Sequence, residues 1–99
     1  MQDNENNDRL LSIIANTLEI PIEEIYITWK HYPSRSKIAR IFYIHFSREN
    51  MSAIQSKLKI CRRTFFYFNK LYYLKMRSSK EFRYYNDKIE NVLYQRNKR

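Results

Sequence analysis

Glycine is absent from this chain, cysteine occurs once and proline twice. The common two-residue hairpin turns need Gly or Asn at positive φ, so a chain without glycine argues against a meander or sandwich. It fits helices joined by short polar links. The lack of glycine also excludes the Gly-rich phosphate loops of nucleotide-triphosphate engines. Cys61 has no second cysteine to pair with, as expected of a protein in a reducing cytosol. Long apolar runs are missing too, so no segment approaches a membrane span and no membrane partner is expected. The polar, acidic start "MQDNENN" is not a signal peptide.

What is present is charge and aromatic surface. The 99 residues are enough for one domain, and 43% of them are hydrophobic, enough for a small core. Nine Tyr and six Phe give that apolar share a high aromatic content. The net charge of +9 is unevenly placed. Residues 1–24 carry Arg9 against six acids, whereas residues 25–80 carry thirteen Lys and Arg against Glu49 alone. A central block this basic is the footprint of a polyanion-binding surface, most often for nucleic acid; the bland alternative is a solvated basic surface.

Periodicity predicts an all-α chain of about six helices. Residues 1–7 read as a disordered polar N-terminus. Leu10, Leu11, Ile13, Ile14 and Leu18 mark a first helix over about 8–18, and Pro21, Glu23 and Glu24 suit the start of a short second one over about 21–27. "TWKHYP" follows as a loop carrying Lys30 and His31, with Trp29 and Tyr32 packing it down. Ile38, Ile41, Phe42, His45 and Phe46 place a third helix at about 34–49, with Arg35, Lys37, Arg40 and Arg48 off or beside its apolar face. Ser52 and Gln55 form a capping box for a fourth helix over about 51–58, with Ile54 and Leu58 inward. Ser78 and Glu81 form another before a sixth helix over about 79–95, whose inward residues are Phe82, Tyr85, Ile89, Val92 and Leu93. The basic tail 96–99 lies beyond it. Residues 8–95 thus read as a single helical domain.

The stretch "ICRRTFFYFNKLYYLK", residues 60–75, decides the function. As a strand, neither of its sides is cleanly apolar. As a helix over about 61–77, Phe65, Phe68 and Tyr72 share an inward face while Arg62, Arg63, Tyr67 and Lys70 turn elsewhere. A short helix, a three-residue link and a longer helix with a basic start make a helix-turn-helix, whose second helix enters the major groove of double-stranded DNA. Arg62 and Arg63 can each present two parallel N–H groups to guanine O6 and N7, and Thr64 can meet a phosphate, a base edge or a thymine methyl. Tyr67 and Lys70 are candidate backbone contacts. Lys30, His31, Arg35, Lys37 and Lys59 complete a basic rim that would hold phosphates or reach the minor groove.

The order of these elements resembles the C-terminal DNA-binding domain of the bacterial replication initiator DnaA, a helix-turn-helix of the Trp-repressor type. The likeness covers residues 10–93. "LLSIIANTLEIPIEEI" is similar to that family's opening helix and short acidic second helix. "KHYPSRSKIARIFYIHFSRE" is similar to its basic loop and the long helix with an alanine–arginine pair, here Ala39 and Arg40. "MSAIQSKL" and "RTFFYFNKLYYL" resemble its DNA-binding helices, and "EFRYYNDKIENVL" its last helix. Where the family has a glycine-glycine-arginine-aspartate-histidine run, "KICRRTF" stands here, with Thr64 matched. The resemblance therefore implies the fold and duplex binding, in replication or transcription control. It does not extend to the family's origin boxes. It also implies a cytoplasmic protein, bacterial or phage-encoded, that stands alone or is excised from a longer initiator, without the ATPase module.

Two other classes stay open. A helical protein-interaction module would use the exposed aromatic and basic residues on a protein partner. A single-stranded nucleic-acid binder would stack bases on tyrosines. Oligomeric state is not legible. Catalysis and cofactors are not expected. His31 and His45 have no metal-ligand neighbours at the needed spacing, His45 reads as a core histidine, and Cys61, beside Arg62 and a helix start, reads as a packing residue.

Overall fold

The computed structural model describes residues 2–26 and 34–97, with side chains over 9–25 and 35–94. Its elements are α1 (Gln2–Leu18), a 3-10 helix (Ile22–Tyr26), α2 (Ser34–Phe46), α3 (Met51–Leu58), α4 (Arg62–Ser78) and α5 (Lys80–Asn97). The described residues are all-α and contain no strand. The six expected helices are thus five α-helices and one 3-10 helix among the described residues.

Leu10, Leu11, Ile14, Ala15 and Leu18 line the inner face of α1. The helix begins at Gln2, six residues before the expected Asp8. No Pro or Gly interrupts that stretch, so polar character alone does not stop it. It ends in a Schellman turn: Ile20 N–H reaches Ala15 O at 3.0 Å, with Glu19 at φ 58°. The same turn closes α3, where Ile60 N–H reaches Gln55 O at 3.1 Å and Lys59 takes φ 56°. Two charged residues thus occupy left-handed positions that glycine usually fills.

α2 is the axle. Ala39, Arg40, Ile41, Phe42, Tyr43 and Ile44 are all buried, so this middle stretch of the helix is covered all round, with α1, α4 and the 3-10 helix against it. Phe42 stacks on Phe82 of α5 at 4.5 Å between centroids and meets Tyr72 of α4 edge-on. Tyr72 hydroxyl donates to Asn86 Oδ1 at 2.7 Å, pinning α4 to α5 inside the core. His45 lies flat on Tyr72 at 3.6 Å and is half-buried, in keeping with its reading as a core residue.

Several local expectations are corrected. Arg40 was placed beside the apolar face, yet it is 2% exposed; its Nη1 donates to Leu58 O at 3.3 Å, at the C-terminal end of α3 where carbonyls lack helical partners. α2 stops at Phe46, three residues short of the predicted end, because Ser47 and Glu49 turn the chain: Glu49 N–H donates to Ser47 Oγ at 3.1 Å. The cap of α3 is Asn50, whose side chain accepts from Ala53 N–H, and not Ser52. The cap of α5 is Ser79, accepting from Phe82 N–H at 3.1 Å, while Ser78 donates back to Leu74 O. Phe65 and Leu93 are half-buried, and Val92 is exposed. α4 ends at Ser78 and α5 runs on to Asn97, each a little past its expected end.

Candidate nucleic-acid interface

α3 ends at Leu58 with Ile54 and Leu58 buried, the three residues 59–61 make the link, and α4 starts at Arg62. The left-handed turn at Lys59 makes so short a link possible, since it redirects the backbone within one residue. Phe68 and Tyr72 fix the roll of α4 by sitting in the core. Its outer side is then set by helical geometry. Arg63, Phe66, Lys70, Tyr73 and Arg77 follow each other at three- and four-residue steps, and all are exposed. Arg62 is exposed at the helix start. The seventeen residues of α4 carry five Lys and Arg and no acid.

Glu49, the lone acid of residues 25–80, does not reach this surface. It lies largely inward, accepting from the Tyr43 hydroxyl and pairing with Lys57 Nζ at 3.2 Å. Burial raises the Tyr43 pKa, and its bond to Glu49 adds to that. For Lys57, burial opposes the charge, but the bonds to Tyr43 and Glu49 outweigh it and hold the ammonium protonated. The cluster ties the end of α2 to α3 and leaves the field of the α4 face unopposed by that carboxylate.

The expected site residues fall into groups. Arg62, Arg63 and Lys70 share the exposed side of α4. Tyr67 lies beside them, 51% exposed, with Lys37 Nζ of α2 at 5.8 Å from its ring centroid, so the structure brings Lys37 to the middle of α4. Lys59 is exposed in the link. Thr64 is half-buried, its hydroxyl 3.2 Å from Cys61 Sγ. Arg35 is exposed at the start of α2, but its Nη1 donates to Leu18 O at 3.1 Å, so part of its fork caps α1. Lys30 and His31, with Trp29 and Tyr32, lie outside the described residues. Cys61, expected to pack, is exposed at the N-cap of α4. Hydrogen bonds from the Thr64 side chain and backbone lower its thiol pKa.

Sequence reasoning missed Phe66, which is 50% exposed with the Arg62 guanidinium 5.6 Å from its ring centroid. Its position three residues after Arg63 and four before Lys70 was the available signal. Asn69 and Tyr73 are exposed on the same helix and were missed likewise. Among the described residues no three His, Cys, Asp or Glu side chains group as a metal would require. No helix among them is long and apolar enough to cross a membrane. No protein family, curated protein or solved structure matches the chain.

Proposed function

We propose that the chain is a non-catalytic DNA-binding domain in which α3, the link 59–61 and α4 act as a helix-turn-helix. α4 lies in the major groove, Arg62 and Arg63 read guanine edges, and Lys37, Lys59 and Lys70 hold phosphates beside it. Lys30, His31 and part of the Arg35 fork extend the phosphate contacts. The observation that carries this is the acid-free α4, anchored by Phe68 and Tyr72, with its arginines exposed on the first turn. The likeness to the DnaA C-terminal domain drawn from the sequence belongs to this proposal, and with it a cytoplasmic role in replication or transcription control. The test is selection from random duplexes, followed by competition with single strands of the same sequence. An enriched duplex site that single strands fail to displace is the expected result. Effective competition by single strands moves the reading to base stacking on the tyrosines.

A second reading, a helical protein-interaction module, draws on the exposed Tyr73 and Leu74 of α4 and Tyr84, Val92 and Tyr94 of α5. Aromatic residues are enriched at such interfaces. It predicts no duplex enrichment at any salt concentration.

A further inference from the structure

The geometry points to Phe66 as a specificity residue that reads the C5-methyl group of a pyrimidine, thymine in ordinary DNA, next to the guanine read by Arg62 or Arg63. This rests on the duplex-binding proposal above and narrows it. Phe66 stands between Arg63 and Lys70 on the outermost line of α4, half its surface open to solvent. A phenyl ring there has no hydrogen-bonding group and cannot hold a phosphate. On the major-groove edge of the four base pairs, the thymine methyl is the one apolar group that projects into the groove; the other groups that tell the pairs apart are donors or acceptors. A ring on a groove-facing line between two cations therefore has one match in the groove.

The neighbouring Arg62 sharpens the assignment. Its guanidinium lies 5.6 Å from the Phe66 ring centroid, within range of a cation–π contact that restrains the arginine before DNA arrives. Phe66 is thus coupled to the arginine and adjacent to it. Three to four residues of helix rise span about 4.5–6 Å. Successive base pairs are about 3.4 Å apart. The methyl should then fall one or two base pairs from the guanine.

The experiment uses the selected duplex and replaces each thymine singly by deoxyuridine, which removes the methyl and keeps every hydrogen bond. Binding of the parent protein, Phe66→Ala and Phe66→Leu is measured at one salt concentration, with helical content checked for each. A matching arm replaces cytosines by 5-methylcytosine, to separate thymine from any methylated pyrimidine. The expected result is one thymine within two base pairs of the guanine whose loss of methyl weakens the parent about fourfold, the worth of one buried methyl-sized group. Phe66→Ala should bind the thymine and deoxyuridine sites equally, and Phe66→Leu should restore part of the preference. Selective duplex binding with no methyl effect, or the same methyl effect in Phe66→Ala, overturns the role of Phe66 and leaves the helix-turn-helix standing. Gain of affinity on 5-methylcytosine alone, with no thymine effect, overturns the thymine assignment. No selective duplex binding by the parent overturns both.

Discussion

Arg62 and Arg63 are separated from Lys37 by what each can recognise. The arginine forks match a base edge, whereas the Lys37 ammonium, beside the Tyr67 ring, is a point charge suited to a phosphate. Replacing either arginine by Ala should cost about 1–3 kcal/mol on the preferred site and much less on a scrambled one. Lys37→Ala should weaken both sites alike and flatten the log–log salt slope by about one unit. Equal losses on both sites in the arginine variants would reduce α4 to a basic surface. Lys59 carries a second, independent prediction. Its φ of 56° strains a residue with a Cβ. Lys59→Gly should stabilise the fold by about 0.5–1 kcal/mol, since relief of the strain is partly offset by the freedom glycine gains when unfolded. In the same variant duplex affinity should fall, because the proposed Lys59 phosphate contact is lost. Denaturant midpoints and binding isotherms of one protein preparation check both signs.

Among the elements, α4 depends on Tyr72 for its seat. Burial, with the Glu90 carboxylate nearby, pushes the Tyr72 pKa up to about 12, against 10 for a free tyrosine. The raised value means the folded state holds the proton longer than the unfolded one. The corresponding stability is intact below pH 10 and drains away as pH climbs from 10 towards 12. Tyr72→Phe should remove part of that alkaline decline in urea titrations. It should also cost about 1–3 kcal/mol at neutral pH, because Asn86 Oδ1 stays buried without its donor. Much of α4 was legible beforehand. Helical spacing singled out Phe68 and Tyr72 as inward and Arg62, Arg63 and Lys70 as outward, and α3 falls where periodicity put it. What eluded the sequence was of two kinds. Asn50 and Ser52, like Ser78 and Ser79, are cap-competent neighbours, and the path of the chain through the fold chooses between them. Arg40 and Phe66 invert the rule that charge marks solvent and aromatics mark core. The long apolar stem of Arg40 lets it lie buried with its tip on the Leu58 carbonyl, and Phe66 lies between two exposed cations.

Across the whole molecule, charge is divided by position along the chain. The acids cluster in residues 1–24, and the basic block occupies 25–80 with Glu49 engaged by Lys57. If the rim and α4 together neutralise roughly five phosphates, the log of the binding constant should fall with log salt at a slope of about −4.5. Affinity that stays flat between low and physiological salt would favour the protein-interaction reading. The buried circumference of α2 has a different kind of consequence. A stretch of helix wrapped on every side has no face from which it can peel away alone, so its amide protons should trade with deuterium only when the entire molecule opens. In native-state hydrogen exchange, the slowest amides should fall within residues 41–46, and their opening free energy should equal that of global unfolding. The exposed half of α4 should open at lower free energy, leaving the surface proposed to meet DNA able to adjust while the axle beneath it stays shut.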